Sequence, residues 1–192
     1  MIRIISGQYR GKRLRKVPSP AVRPYPDKLK TALFNILREE LPGKKVLDGF
    51  AGTGSVGIES LSHGASFAVF VEILPAALST IRHNLAKLCA EDRSRVVAME
   101  FNRAVIQLAG EGARFDLIFL DPPYRLLDER NPLKVIHKRG LLAPGGRIIL
   151  RRHFKTAFEA RYFSLERQVR LGDDVLMFYR ESPPVAINKV IV

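Results

Sequence analysis

Tryptophan is absent from the 192 residues, and there is one cysteine, Cys89. A single thiol forms no internal disulfide, which excludes a disulfide-stapled scaffold and fits a reducing compartment. Cys89 reads as a small core-facing residue. Four scattered histidines beside one thiol assemble no metal site of the usual spacing, so no metal is expected. No stretch approaches the ~20 apolar residues of a membrane span. The opening "MIRIISGQYR" has no apolar core of a secretory signal. A cytoplasmic chain with no membrane partner, working as a monomer, is the expectation. Its length suits one domain that buries roughly 70% of its unfolded surface.

Acidic residues are also scarce. Nineteen stand against 32 basic ones, for a net charge of +13. Such a balance favours a polyanionic partner through phosphate neutralisation and steering. The charge is unevenly placed: residues 1–30 hold nine basic residues against Asp27 alone, so +8 of the +13 lies there. A basic tail kept for solubility is the plainer alternative. The segment "IRIISGQYRGKRLRKV" nevertheless mixes Ile2, Ile4, Tyr9, Leu14 and Val17 with its charges and has Gly7 and Gly11 as turn formers. It reads as a small basic β-hairpin. The proline-rich "PSPAVRPYP" then marks a boundary, giving residues 1–26 as a hairpin with its connector and 27–192 as the main domain. Asp27 is expected to N-cap the helix "KLKTALFNILREEL", whose Leu29, Leu33, Ile36 and Leu37 make an apolar stripe.

From Lys45 onward strands alternate with helices. "KVLDGF", "FAVFVE", "RVVAME", "FDLIFL" and "GRIILRR" are strand candidates, with helices over "SVGIESLSHG", Pro75–Leu88, Ala104–Leu108 and Pro132–Lys138. Alternation of this kind implies an α/β fold with a mostly parallel, doubly wound sheet. "ARYFSLERQVRLGDDVLMFYRE" reads as an antiparallel hairpin turning at Gly172 and closing one sheet edge.

In such a sheet, ligands sit beyond the carboxyl ends of the strands near the point where strand order reverses. Three motifs fall at strand ends. The first is "VLDGFAGTGSVG", which contains Gly52-x-Gly54-x-x-Gly57, weak evidence taken alone. The second is Glu72, 24 residues after Asp48 and placed to accept hydrogen bonds from ribose hydroxyls. The third is "FDLIFLDPPY", where an apolar strand runs into Asp121, Pro122, Pro123 and Tyr124. A strand ending in a turn is the simple reading of a Pro-Pro pair, since neither proline has an N–H to continue a ladder. Three motifs in order argue for more. A dinucleotide dehydrogenase would share the first two and leave the third unexplained. Asp48 before the loop suits a cofactor with a positive group and no phosphate, S-adenosylmethionine rather than NAD. Asp121 and the Pro122 carbonyl are then acceptors for the hydrogens of an exocyclic amino group, and Tyr124 is a stacking face for its base.

With these residues in view, the chain resembles the bacterial methyltransferases that modify N2 of a guanine in 16S ribosomal RNA, the RsmD family. The likeness runs through "RIISGQYRGKRL", "RPYPDKLKTALFNIL", "VLDGFAGTGSVGIESLSHGA", "VFVE", "DLIFLDPPY" and the closing hairpin. It implies a Rossmann-like class I S-adenosylmethionine-dependent methyltransferase acting on RNA of the small ribosomal subunit. It also implies that Asp48, Phe50, Ala51, Gly52, Thr53, Gly54 and Glu72 hold the cofactor, and that Asp121, Pro122 and Tyr124 hold the guanine. Arg10, Lys12, Arg13 and Arg23 would touch RNA. Three departures stand out. The family has an acid after the strand "RVVAME" to meet the cofactor adenine; "MEFNRAVIQL" puts Arg103 there, with Asn102 beside it as an amide acceptor or a helix N-cap. Arg151-Arg152-His153 replaces a Glu-His pair, and "RPYP" replaces "RPT". A DNA adenine-N6 methyltransferase and a non-catalytic RNA-binding assembly factor remain as alternatives.

Overall fold

The core strands obey a period of two, and each parity meets its own layer of helices. The computed structural model describes residues 2–19, 22, 25–123, 131–156, 158 and 160–182. Its strands are β1 (Ile2–Arg3), β2 (Arg13–Leu14), β3 (Lys45–Asp48), β4 (Phe67–Glu72), β5 (Ser94–Ala98), β6 (Phe115–Leu120), β7 (Leu142–His153), β8 (Phe163–Leu171) and β9 (Asp174–Glu181). Its α-helices are α1 (Asp27–Leu37), α2 (Ser55–Ser62), α3 (Pro75–Lys87), α4 (Phe101–Gly110) and α5 (Pro132–Arg139). One sheet takes the order β5-β4-β3-β6-β7-β9-β8, with β5 to β7 parallel and β9 and β8 antiparallel. Val46, Phe70, Phe119 and Ile149 face one buried cluster with residues of α1, α2 and α3. Their neighbours Leu47, Val71, Ile118 and Leu150 face a second cluster with residues of α4 and α5. The mostly parallel, doubly wound sheet with its antiparallel C-terminal hairpin is therefore present, and the fold is Rossmann-like. No helix among the described residues is long and apolar enough to cross a membrane.

Strand order reverses between β3 and β6, which lie side by side at the middle of the sheet. The chain leaving β3 goes one way and the chain leaving β6 the other, so a crevice opens at their carboxyl ends. Gly49 N donates to Phe119 O at 2.9 Å and holds the two ends together as they part. The strand ends supply Asp48, Glu72 and Asp121 to that crevice.

The N-terminal residues form the expected antiparallel pair, Ile2 opposite Leu14 and Arg3 opposite Arg13, shorter than a full hairpin. They pack tightly. Ile2, Ile4 and Leu14 belong to the same buried cluster as α1 and α2. The backbone N–H groups of Ile5 and Ser6 donate to Glu59 Oε1 on α2, both at 2.9 Å. Lys30 of α1 completes this knot: its Nζ lies 3.2 Å from Glu59 Oε2 and donates to Arg3 O at 2.7 Å. Asn84 of α3 accepts from Arg15 N at 2.7 Å and donates to Thr53 O at 3.2 Å, linking the basic segment to the glycine-rich loop. The basic segment thus packs into the first helical layer through Ile2, Ile4 and Leu14.

Two local expectations are corrected. The N-cap of α1 is Pro26, in extended conformation, and Asp27 is the first helical residue. There its carboxylate sits in the first turn, where the helix dipole favours negative charge, and it caps nothing. Cys89 is exposed, not core-facing, with φ +51°. It follows the C-cap of α3: Ala90 N donates to Leu85 O and Cys89 N to Ala86 O, both at 3.1 Å. This is the Schellman ending, whose left-handed position belongs most often to glycine. Cys89 occupies it instead.

Candidate active site

The glycine-rich loop between β3 and α2 is shaped by two glycines for different reasons. Gly54 caps α2 at φ +74°, a left-handed conformation that other residues adopt at a cost. Gly57 lies where a Cβ would overlap the Phe70 ring, so its absence lets α2 sit directly on β4. The result is a tight turn that aims the start of α2 at the crevice. Asp48, the last residue of β3, lies beneath it and accepts from Gly57 N at 3.0 Å. Burial lifts its carboxyl from 3.8 to about 7, partly offset by that hydrogen bond and reinforced by the Asp121 and Glu72 charges.

A cavity of about 780 Å³ occupies the crevice. That volume is within the usual range for a small-molecule site. Asp48, Phe50, Ala51, Gly52 and Thr53 line it from the first strand end. Glu72 and Ile73 line it from the second, and Asp121 and Pro122 from the end of β6. Glu72 organises the loop opposite: Oε2 accepts from Gly52 N at 2.8 Å, and Oε1 from Ile73 N at 2.7 Å and Leu74 N at 2.9 Å. Gly54 shapes the loop from the α2 cap and is not among the lining residues.

Asn102 also does not line the cavity; Glu100 and Phe101 do. β5 ends at Ala98, two residues before the expected end of that strand, and this moves the whole helix start. Glu100 becomes the N-cap of α4, with its side chain accepting from Arg103 N at 3.1 Å, so the cap is not Asn102. An acid, Glu100, thus lines the cavity after this strand, ahead of the position where one was expected. Phe101 stacks on Phe50 with ring centroids 4.8 Å apart, building an apolar wall beside it.

The Asp121 side of the cavity holds a cluster that the sequence reading did not assemble. Arg151, near the end of β7, donates from Nη1 to Asp121 Oδ2 at 2.8 Å and from Nε to Asp174 Oδ1 at 3.0 Å. Its guanidinium lies 4.9 Å from the centroid of the Tyr25 ring. Two of the departures from the family pattern, Tyr25 and Arg151, thus meet beside the Asp-Pro-Pro segment. Burial raises Asp121 above its ordinary carboxylate range, while the Arg151 charge and hydrogen bond pull the other way. Tyr25, partly buried, is raised well above 10.0 by desolvation and by the Asp121 charge. Tyr124 and Arg23 lie outside the described residues. Arg10, Lys12 and Arg13 are exposed on the basic segment. Among the described residues, no group of three or more His, Cys, Asp and Glu is arranged to hold a metal ion.

Comparison with known proteins gives the family. A family model described as conserved hypothetical protein 95 matches residues 2–180. The chain belongs to that family, the RsmD family. Among its relatives is ribosomal RNA small subunit methyltransferase D of Escherichia coli K12, 38% identical over 144 residues, covering 74% of this chain and 70% of that protein. The enzyme of the same name from Haemophilus influenzae is 32% identical over 148 residues, covering 77% and 76%. Among solved structures, a hypothetical protein of Thermus thermophilus superposes with a TM-score of 0.79 at 30% identity, covering 93% of this chain and 98% of that one. An RNA methyltransferase of Salinibacter ruber in complex with S-adenosyl-L-homocysteine, 18% identical with a TM-score of 0.65, shares the fold. RsmD-family membership covers all three strand-end motifs together with the basic N-terminal segment.

Proposed function

We propose that this chain transfers a methyl group from S-adenosylmethionine to the exocyclic N2 amino group of a guanine in small-subunit ribosomal RNA. The observation that carries the reading is the meeting of Asp48, Glu72 and the Asp121-Pro122 pair in one cavity. Its donor set fits a cationic cofactor without phosphate. The carboxylates of Asp48, Glu72, Glu100 and Asp121 line the cavity, and Arg151, the basic residue among the described lining residues, is engaged by Asp121 and Asp174. Bound there, S-adenosylmethionine supplies an activated sulfonium methyl. The names of the RsmD-family relatives and the S-adenosyl-L-homocysteine complex of the Salinibacter neighbour support this cofactor and an RNA substrate.

The protein's own contribution is orientation and charge. An exocyclic amino nitrogen is a poor nucleophile because its lone pair is delocalised into the ring. The Asp121 carboxylate and the Pro122 carbonyl would accept hydrogen bonds from its two N–H groups and favour a pyramidal nitrogen with the lone pair free to take the methyl; as the methyl–sulfur bond breaks, the surplus amino proton would leave through Asp121 to solvent. Asp48 and Glu72 balance the positive cofactor. The basic segment neutralises phosphates of the RNA, while Arg23 is assigned to RNA contact by the family likeness and Tyr124 to base stacking by its place after the Asp-Pro-Pro segment. The test is Asp121→Ala. Single-turnover methyl transfer is expected to fall at least ~10²-fold, with the cofactor dissociation constant by calorimetry changed less than about threefold. Equal losses in both would move Asp121 into the cofactor pocket and overturn its role as acceptor.

A further inference from the structure

Asp121 has a carboxylate with two oxygens and, in the proposed reaction, one amino hydrogen to accept. The structure commits the other oxygen. Arg151 Nη1 holds Oδ2 at 2.8 Å, and Arg151 is held in turn by Asp174 and by the face of the Tyr25 ring. The Arg151 side chain is 14% exposed and Asp121 36%, so the pair spans the boundary between the cavity wall and its interior. Each partner comes from a different element: Asp121 from the end of β6, Arg151 from β7, Asp174 from the start of β9 and Tyr25 from the segment before α1. We propose that Arg151 is the positioning residue of the acceptor site, pinning Oδ2 so that Oδ1 of an ionised Asp121 faces the amino group. This rests on the reading of Asp121 as the acceptor.

The electrostatics supply the second half. A protonated Asp121 would offer a donor where an acceptor is needed. Burial favours that form, and Asp174 and Asp48 face Asp121 with like charge. Arg151 is the opposing charge at the site, while Tyr25 stays neutral because burial and the neighbouring acids raise its pKa. Removing Arg151 therefore loosens the carboxylate and favours its protonated form. Lysine in its place keeps the charge and loses the planar fork that reaches Asp121 and Asp174 together.

The decisive experiment is kcat against pH, at saturating cofactor and RNA, for the parent and for Arg151→Gln, Arg151→Lys, Asp174→Asn, Asp121→Asn and the Asp121→Asn/Arg151→Gln double variant. In Arg151→Gln the acidic limb is expected to move up by about one unit, with plateau kcat at least ~10-fold lower and the cofactor KM within about twofold. Arg151→Lys should return the limb most of the way while recovering less of kcat. Asp174→Asn, which removes a like charge from Asp121, should move the limb in the opposite direction. The double variant should match Asp121→Asn. Parent kcat and limb in Arg151→Gln overturn the proposal, as does a further loss in the Asp121→Asn background. Should Arg151→Gln fail to fold, an unmoved or rising limb in Asp174→Asn overturns it equally. Parent turnover in Asp121→Asn is a separate result, and it overturns the acceptor reading itself.

Discussion

Lys30→Met is a severe test of how the basic N-terminal segment is held. Lys30 and Glu59 are both fully buried, with their side chains at 0% exposure. Glu59 also accepts from Ile5 N and Ser6 N, and Lys30 also donates to Arg3 O, so this one ion pair ties the N-terminal segment to α1 and α2. Methionine matches the length of lysine and leaves the Glu59 charge buried without its partner. Removing one member of a buried pair costs about 3–5 kcal/mol. For a chain of this size that corresponds to a fall in Tm of about 6–20 °C, at about 2–4 °C per kcal/mol. The assay is thermal unfolding of the purified protein without RNA, in parallel with Lys30→Met/Glu59→Gln. The double variant removes the orphaned charge while an amide oxygen still accepts from Ile5 N, and should recover at least half of the loss. A Tm for Lys30→Met within about 2 °C of the parent would refute the reasoning.

The same knot separates two ways of testing RNA binding. Deletion of residues 1–17 should destabilise the whole domain, because it uncovers the pair and removes Ile2, Ile4 and Leu14 from the core. Replacing Arg10, Lys12 and Arg13 with glutamine should leave Tm unchanged, weaken RNA binding, and flatten its salt dependence by ~0.7–0.9 for each phosphate no longer neutralised; an unchanged slope would remove these residues from the RNA surface. Asp48 carries a pH prediction. Its folded pKa is raised from 3.8 to about 7, so its contribution to the stability of the cofactor-free protein is whole below 3.8 and lost as pH rises through about 7. A cationic cofactor selects the ionised form, so its dissociation constant should be roughly tenfold weaker at pH 6 than at pH 8. Asp48→Asn should flatten that dependence, and a parent affinity level across this range would refute the assignment.

The sheet was legible because its strands alternate so regularly. Val46 and Leu47, or Phe119 and Leu120, go to opposite faces as their spacing demands. The strand-end motifs followed, since a doubly wound sheet gathers its carboxyl ends whatever the loops contain. Glu100 was missed through a boundary error of two residues in β5, which shifted the expected N-cap of α4 to Asn102. Cys89 was misread because composition favours burial of cysteine, whereas a helix C-terminus needed a left-handed residue there. Arg151 stood out in the sequence as a departure from the family pattern, but its three partners lie on three other segments that only the fold brings together. The docking of the basic segment was hidden for a related reason: Lys30 and Glu59 lie far apart in the sequence, and only the fold pairs them in the core.

The central claim is amino methylation of small-subunit ribosomal RNA, and digestion of the substrate to nucleosides tests it most directly. The protein is incubated with isotopically labelled S-adenosylmethionine and, in separate reactions, 16S ribosomal RNA, small ribosomal subunits and double-stranded DNA, each lacking the modification. Mass spectrometry is then used to find the label. The account predicts labelled N2-methylguanosine from a ribosomal substrate, lost with Asp121→Ala. Label in N6-methyladenine of DNA, or cofactor and RNA binding with no label in any nucleoside, would contradict it.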